Sequence, residues 1–132
     1  MENKFDLVKS YLYDMGFVIK SEDKDEELVI IDDEENGVCN LVIDCEDPIL
    51  VLEQIIMKLP DNSDTEVYKR LLQMNRELVH GAFAIDDNSE YIIFRDTLQL
   101  ANLDRNELEG SIRALELALV EYGSEFIEIS KK

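Results

Sequence analysis

The stretch from Ser63 to Tyr122 constrains the fold most, because it sets two amphipathic helices around a hairpin. Asp104-Arg105-Asn106-Glu107 has the D-x-x-E form in which the N-cap carboxylate and the N3 glutamate satisfy each other's backbone N–H groups. Behind it Leu108, Ile112, Leu115, Leu119 and Tyr122 recur at 4-3-4-3 spacing, the period of one helix face. Gly123 is the expected stop, leaving Phe126, Ile127 and Ile129 as an apolar tail. Ser63-Asp64-Thr65-Glu66 has the S-x-x-E form of the same cap, and Val67, Leu71, Met74 and Leu78 follow at 4-3-4 spacing, with Tyr68, Leu72 and Val79 alongside. His80-Gly81 closes this helix, with His80 placed to interact with the dipole at its end. Ala82 to Ile85 then reads as a strand, Asp86-Asp87-Asn88-Ser89 as a turn, and Tyr91 to Phe94 as the returning strand, which Leu98 to Leu100 extends.

Upstream, Asn3 is an N-cap for a helix in which Phe5, Val8, Leu12 and Met15 recur at 3-4-3 spacing, widened by Leu7 and Tyr11 and stopped at Gly16. Phe17 to Ser21 and Leu28 to Ile31 read as strands around the polar turn Glu22 to Glu26. Asn36-Gly37 suits a turn that needs positive φ, and Val38 to Asp44 returns as a third strand. Asp47 to Pro60 carries two signals. Asp47 and Pro48 suit a helix start, whereas the density of Ile and Val and the closing Pro60 suit a strand. A meander of three strands is most naturally continued by a fourth, so the strand is chosen. The expected order is α-β-β-β-β-α-β-β-α: an antiparallel sheet with helices packed on it, of the α+β class. No internal repeat and no linker rich in Pro, Gly or Ser divides the chain, so one domain is expected over residues 1–132.

Charge narrows the partners. With 13 Lys and Arg against 31 Asp and Glu, the net of −18 repels phosphate backbones and anionic lipid, so nucleic-acid and membrane-surface binding are disfavoured. The start Met1 to Asp6 lacks the basic and apolar regions of a signal peptide, and no apolar run has the length of a membrane span. Cys39 and Cys45 lie within or beside one predicted strand, about 20 Å apart if that strand is straight, too far for a disulfide. A reduced, cytoplasmic protein is expected.

Catalytic chemistry finds little support. The acidic turn Asp86 to Glu90 offers several oxygens, but as a calcium loop it has Tyr91 where glycine is needed and Thr97 where a bidentate glutamate belongs. Turn preference explains it, as it does the acidic runs Glu22 to Glu27 and Asp32 to Glu35. His80 is the only histidine, which removes paired-histidine metal motifs, and a Cys39–His80 nucleophile pair requires tertiary proximity that nothing in the spacing provides. No nucleophile elbow, phosphate loop or dinucleotide fingerprint occurs. A non-catalytic protein without metal or cofactor is expected.

The segments Tyr68 to Asn75, Gly81 to Asp87, Tyr91 to Leu98 and Leu103-Asp104 together resemble the CesT/Tir-chaperone-like superfamily, the fold of type III secretion chaperones, and its YbjN-like branch most closely. The shared pattern is a helix ending in leucines and an asparagine, a strand starting near a glycine, an acidic turn, a second strand and an amphipathic last helix. The resemblance implies a small acidic cytoplasmic bacterial protein that forms a homodimer and binds protein without catalysis. Secretion chaperones of the superfamily hold an extended client segment, whereas YbjN-like members are described as candidate regulators. The chain lacks the Trp that secretion chaperones often carry in the last helix.

Independently, Ile49 to Leu59 has apolar residues on both strand faces, so the sheet face away from the helices needs a cover: a second subunit, a client strand, or helices of the same chain. The expected arrangement joins the dimer through the sheet and second helix. Phe5, Val8 and Leu12 of the first helix, with Leu50, Leu52 and Ile56 of the fourth strand, are the expected protein-binding residues. A regulatory module that binds a folded partner through its acidic surface is the alternative. A divalent-metal enzyme using the Asp86 to Glu90 turn is the third.

Overall fold

The computed structural model describes residues 3–61 and 65–132. The elements are α1 (Lys4–Asp14), β1 (Val18–Asp23), β2 (Leu28–Asp33), β3 (Val38–Glu46), β4 (Ile49–Lys58), α2 (Thr65–Glu77), β5 (Ala82–Ile85), β6 (Tyr91–Gln99) and α3 (Arg105–Ser130), with a short 3-10 turn at Glu34–Asn36. This is the α+β order expected from the sequence. The six strands form one antiparallel sheet in the order β1-β2-β3-β4-β6-β5.

The ambiguous segment is a strand, and it is central: β4 pairs with β3 on one side and β6 on the other. A central position gives it strand neighbours on both sides, and its Leu50 and Leu52 side chains are buried in the core. The caps form where the sequence places them. Asn3 Oδ1 accepts from the Phe5 N–H at 2.8 Å. Asp104 and Glu107 exchange bonds at 2.8 and 3.2 Å in a complete capping box. Ser63 and Asp64, on which the other cap rests, lie outside the described residues.

All three helices feed one core cluster. Phe5, Val8 and Leu12 of α1, Val67, Leu71 and Met74 of α2, and Leu108, Ile112 and Leu115 of α3 meet Val29, Ile31, Leu41, Ile43, Leu50, Leu52, Ile92 and Phe94 of the sheet. Phe83 of β5 stands edge-on to Phe94, Tyr122 and Phe126, with ring centroids 6.1, 6.2 and 4.9 Å away. Gly81 admits the first of these rings: its φ is +75°, and a Cβ there would lie 2.9 Å from Phe94 Cε2 and 3.1 Å from the Arg95 carbonyl oxygen.

Two expected helix ends move. α3 runs through Gly123 to Ser130, continuing its face with buried Phe126 and Ile129 while Ile127 stays exposed. An interior glycine costs about 1 kcal/mol relative to alanine, less than the roughly 1.5–3 kcal/mol available from burying each large apolar side chain. α2 stops at Glu77, so His80 stands beyond the helix in an exposed bend and does not cap it. At its end the Leu78 N–H donates to the Asn75 carbonyl at 3.3 Å, and the Asn75 side chain reaches the next strand, where it accepts from the Phe83 N–H at 2.7 Å and donates to the Phe83 carbonyl at 3.0 Å. β5 is an edge strand, and Asn75 occupies its open hydrogen-bonding side.

Bulges adjust which side chains face the helices. Between Ile31 and Asp33 the register with β3 jumps from Leu41 to Val38, and Asn40 takes φ +52°. Asn40 is held by Asp32, whose Oδ1 accepts its N–H at 2.7 Å, and by Lys20 Nζ, which donates to its Oδ1 at 2.6 Å. Buried Gln54 braces the same corner, accepting from the Cys39 N–H at 2.9 Å and donating to the Gly37 carbonyl at 3.0 Å. Cys39 is consequently exposed and Cys45 buried, six residues further along β3, and both thiols are free.

Candidate functional site

With the helices gathered on one side, alternate residues of the central strands are left on the other. Ile30 of β2, Val42 and Asp44 of β3, Val51, Glu53 and Ile55 of β4 and Ile93 of β6 line a shallow depression of about 600 Å³, joined by Cys39 and Asn40. Val51 and Ile93 are buried yet lie outside the helix-covered core, shielded by neighbours on their own face, and Ile55 is 58% exposed. The floor is apolar because β4 is apolar on both sides, and no helix among the described residues covers it.

Its charges are unbalanced. Arg95 Nη1 donates to Glu53 Oε2 at 2.7 Å, which engages the one cation in the adjoining hollow lined by Asp44, Glu46, Ile49, Val51 and Glu53. Asp44 Oδ1 is buried with no hydrogen-bond partner among the described residues. Burial above all, then a hydrogen bond and repulsion from Glu46 and repulsion from Glu26 and Glu53, pushes the Asp44 carboxyl up to about 6.

A second apolar surface lies where the segment after α2 passes α3. Leu78, Val79, Ala114, Leu117 and Val120 contribute to a groove of about 580 Å³, with Val79 86% and Val120 84% exposed. This groove carries charges of both signs, among them Arg113 and Glu121.

The expected binding residues stand elsewhere. Phe5, Val8, Leu12, Leu50 and Leu52 are buried in the core, and Ile56 is partly buried against it. Strand parity is the reason: Leu50 and Leu52 point towards the helices, and Val51 and Ile55 away from them. α3 lies against β4 and α1 against β1, so a partner can reach the first set only by displacing a helix, and the accessible apolar residues of β4 are on the opposite face. The groups considered for chemistry are likewise dispersed. Cys39 lines the sheet depression and His80 the helix groove. Burial, assisted by nearby carboxylates, raises both thiols, Cys45 to about 12, so neither is an activated thiolate. In the Asp86 turn one carboxylate oxygen accepts from the Glu90 and Tyr91 N–H groups at 2.7 and 2.8 Å, a turn-building role. No group of three or more candidate metal ligands occurs among the described residues, and none of their helices is long and apolar enough to cross a membrane. Asn75 is the residue whose task sequence reasoning missed; it stands among Arg76, Glu77 and His80 ahead of Gly81, and nothing in the local composition sets it apart.

The family model CesT_Tir_1 matches residues 1–132. No curated protein matches the chain. Among solved structures, YbjN from E. coli, described as a candidate transcription regulator, superposes with a TM-score of 0.72 at 14% identity, covering 92% of each chain. The HopA1-SchA chaperone-effector complex gives a TM-score of 0.61 at 12% identity over 83% of this chain and 84% of the other. The heterodimeric ExoU-SpcU complex of the Pseudomonas aeruginosa type III secretion system gives 0.53 at 18% identity over 67% and 72%. At these identities the likeness is one of fold.

Proposed function

The chain belongs to the CesT_Tir_1 family, and from that premise we propose that it is a non-catalytic, chaperone-like protein that holds a segment of another protein on the open face of its sheet. The observation that carries this reading is the apolar depression around Val51, Ile55 and Ile93, which no helix among the described residues covers, on a sheet whose other face carries the core. The protein acts as a homodimer, and the groove with Val79, Leu117 and Val120 supplies the contact between copies. That assignment leaves the sheet face available to the client. Free thiols at Cys39 and Cys45 suit a reducing compartment such as the cytoplasm.

Sedimentation and a binding measurement test the two surfaces separately. Leu117→Glu with Val120→Glu is expected to convert a dimer to a monomer at micromolar concentration. Ile55→Asp is expected to leave the dimer intact and to abolish protection of an unfolding test protein against aggregation. A wild-type monomer at those concentrations ends the dimer assignment; unchanged protection by Ile55→Asp ends the client assignment. The net charge of −18 favours a second reading, a regulatory module that docks a folded partner through its acidic exterior. Affinity for such a partner falls steeply with added salt, whereas an apolar groove is little affected.

A further inference from the structure

We propose that the open sheet face selects a cationic amphipathic segment, with apolar side chains seated on Val51, Ile55 and Ile93 and a lysine ammonium or arginine guanidinium on the Asp44 carboxylate. This rests on the client-binding reading of the same face and specifies the chemistry of the client. The argument from charge begins with what a cover would do. Asp44, paired across the sheet with Leu28 and Val51, already has one oxygen out of reach of solvent and without a donor among the described residues. Glu46 and Glu53 lie in the same hollow, and Arg95 is taken by Glu53 at 2.7 Å. An uncharged apolar cover completes the dehydration of these carboxylates without compensation, which is strongly unfavourable. A second copy docked face to face about a twofold axis brings the same acidic set against itself. A cation from the partner supplies the missing donor, and the apolar floor on either side requires that the rest of the segment be apolar.

Protonation gives an independent signature. Glu46 on β3, Glu26 in the β1–β2 turn, Glu53 on β4 and the Glu53-paired Arg95 on β6 are the charged groups around Asp44. A bound cation favours the ionised carboxylate, so binding releases a proton and strengthens as pH rises through about 6.

The test uses the full chain and two short synthetic peptides, one alternating lysine with leucine and one with glutamine in place of lysine, titrated by calorimetry at fixed ionic strength. The lysine peptide is expected to bind about tenfold or more tightly than the glutamine peptide. Asp44→Asn is expected to remove most of that difference and its dependence on pH. The double variant Glu109→Gln/Glu128→Gln, which removes more charge on α3, across the sheet from the face, is expected to change affinity less than about twofold. Thermal melts establish that each variant is folded, and Ile55→Thr serves beside Ile55→Asp because it keeps a β-branched side chain. An Asp44→Asn effect no larger than that of the double variant overturns the proposal, since the attraction is then merely to net charge. Equal binding of both peptides, lost in Ile55→Asp, overturns the cation requirement and leaves the client face standing. Peptide affinities insensitive to both Ile55 variants overturn the two together. A dimer that dissociates on Ile55→Asp assigns the face to a second copy and also overturns the proposal.

Discussion

Leu52 and Ile55 stand three residues apart on β4, yet one is 1% exposed beneath the helices and the other 58% exposed on the open side. The sheet thus has two apolar faces with opposite roles. The inner face satisfies its apolar surface within the chain and fixes the fold. The outer face leaves the same kind of surface accessible, interrupted by carboxylates that make a purely apolar cover costly. The difference teaches that apolar content locates a sheet but does not say which side of it is used up.

Substitutions sharpen that contrast, beginning with the interior. Leu52→Ala is expected to cost about 2–5 kcal/mol in denaturant unfolding, because it opens a cavity under the helices. A cost no greater than that of Ile55→Ala would break the distinction between the faces. Asn75→Ala is expected to cost about 1–3 kcal/mol, since the Phe83 backbone loses two partners, and to speed hydrogen exchange at the Phe83 amide more than at Phe94. Asp44→Asn acts in the other direction. The folded carboxyl sits at about 6 against an ordinary 3.8, so the folded state binds the proton more tightly and its stability falls as pH rises from about 4 through 6. The asparagine variant is therefore expected to melt above the wild type at pH 7.5, by less than the Asn75→Ala loss, with the gap closing as pH drops towards 4. Equal melting temperatures throughout that range would place Asp44 in ordinary solvent. Smallest is Ile55→Thr, expected to change stability by no more than about 0.5 kcal/mol while weakening the lysine peptide.

Much of this architecture was legible beforehand. Asn3 and Asp104 cap their helices through side-chain chemistry written in a few adjacent residues. β4 was readable as a strand because three hairpin-sized strands precede it. Other features depend on contacts between distant residues. Gly123 marks a helix end only if nothing downstream packs, and Phe126 against Phe83 at 4.9 Å decides that it does not. The bulge at Asn40 has no compositional mark, since it is held by Asp32 from the adjacent β2 and by Lys20 from β1 beyond it. The open face shows the same division. Apolar residues on both sides of β4 reveal a face in need of cover, but periodicity cannot say which parity the helices take, so the burial of Leu50 and Leu52 and the exposure of Ile55 become visible only in the folded chain.

The grip of Asn75 on Phe83 also limits how copies of this protein can join. At the β5 margin the outward N–H and carbonyl of Phe83 are already bonded, while β1 has a strand neighbour on one side only. Strand addition is therefore easier at β1 than at β5. Two molecules meeting through β1 would each use the freer margin and leave only the partly blocked one for further addition, which favours a pair over a fibre.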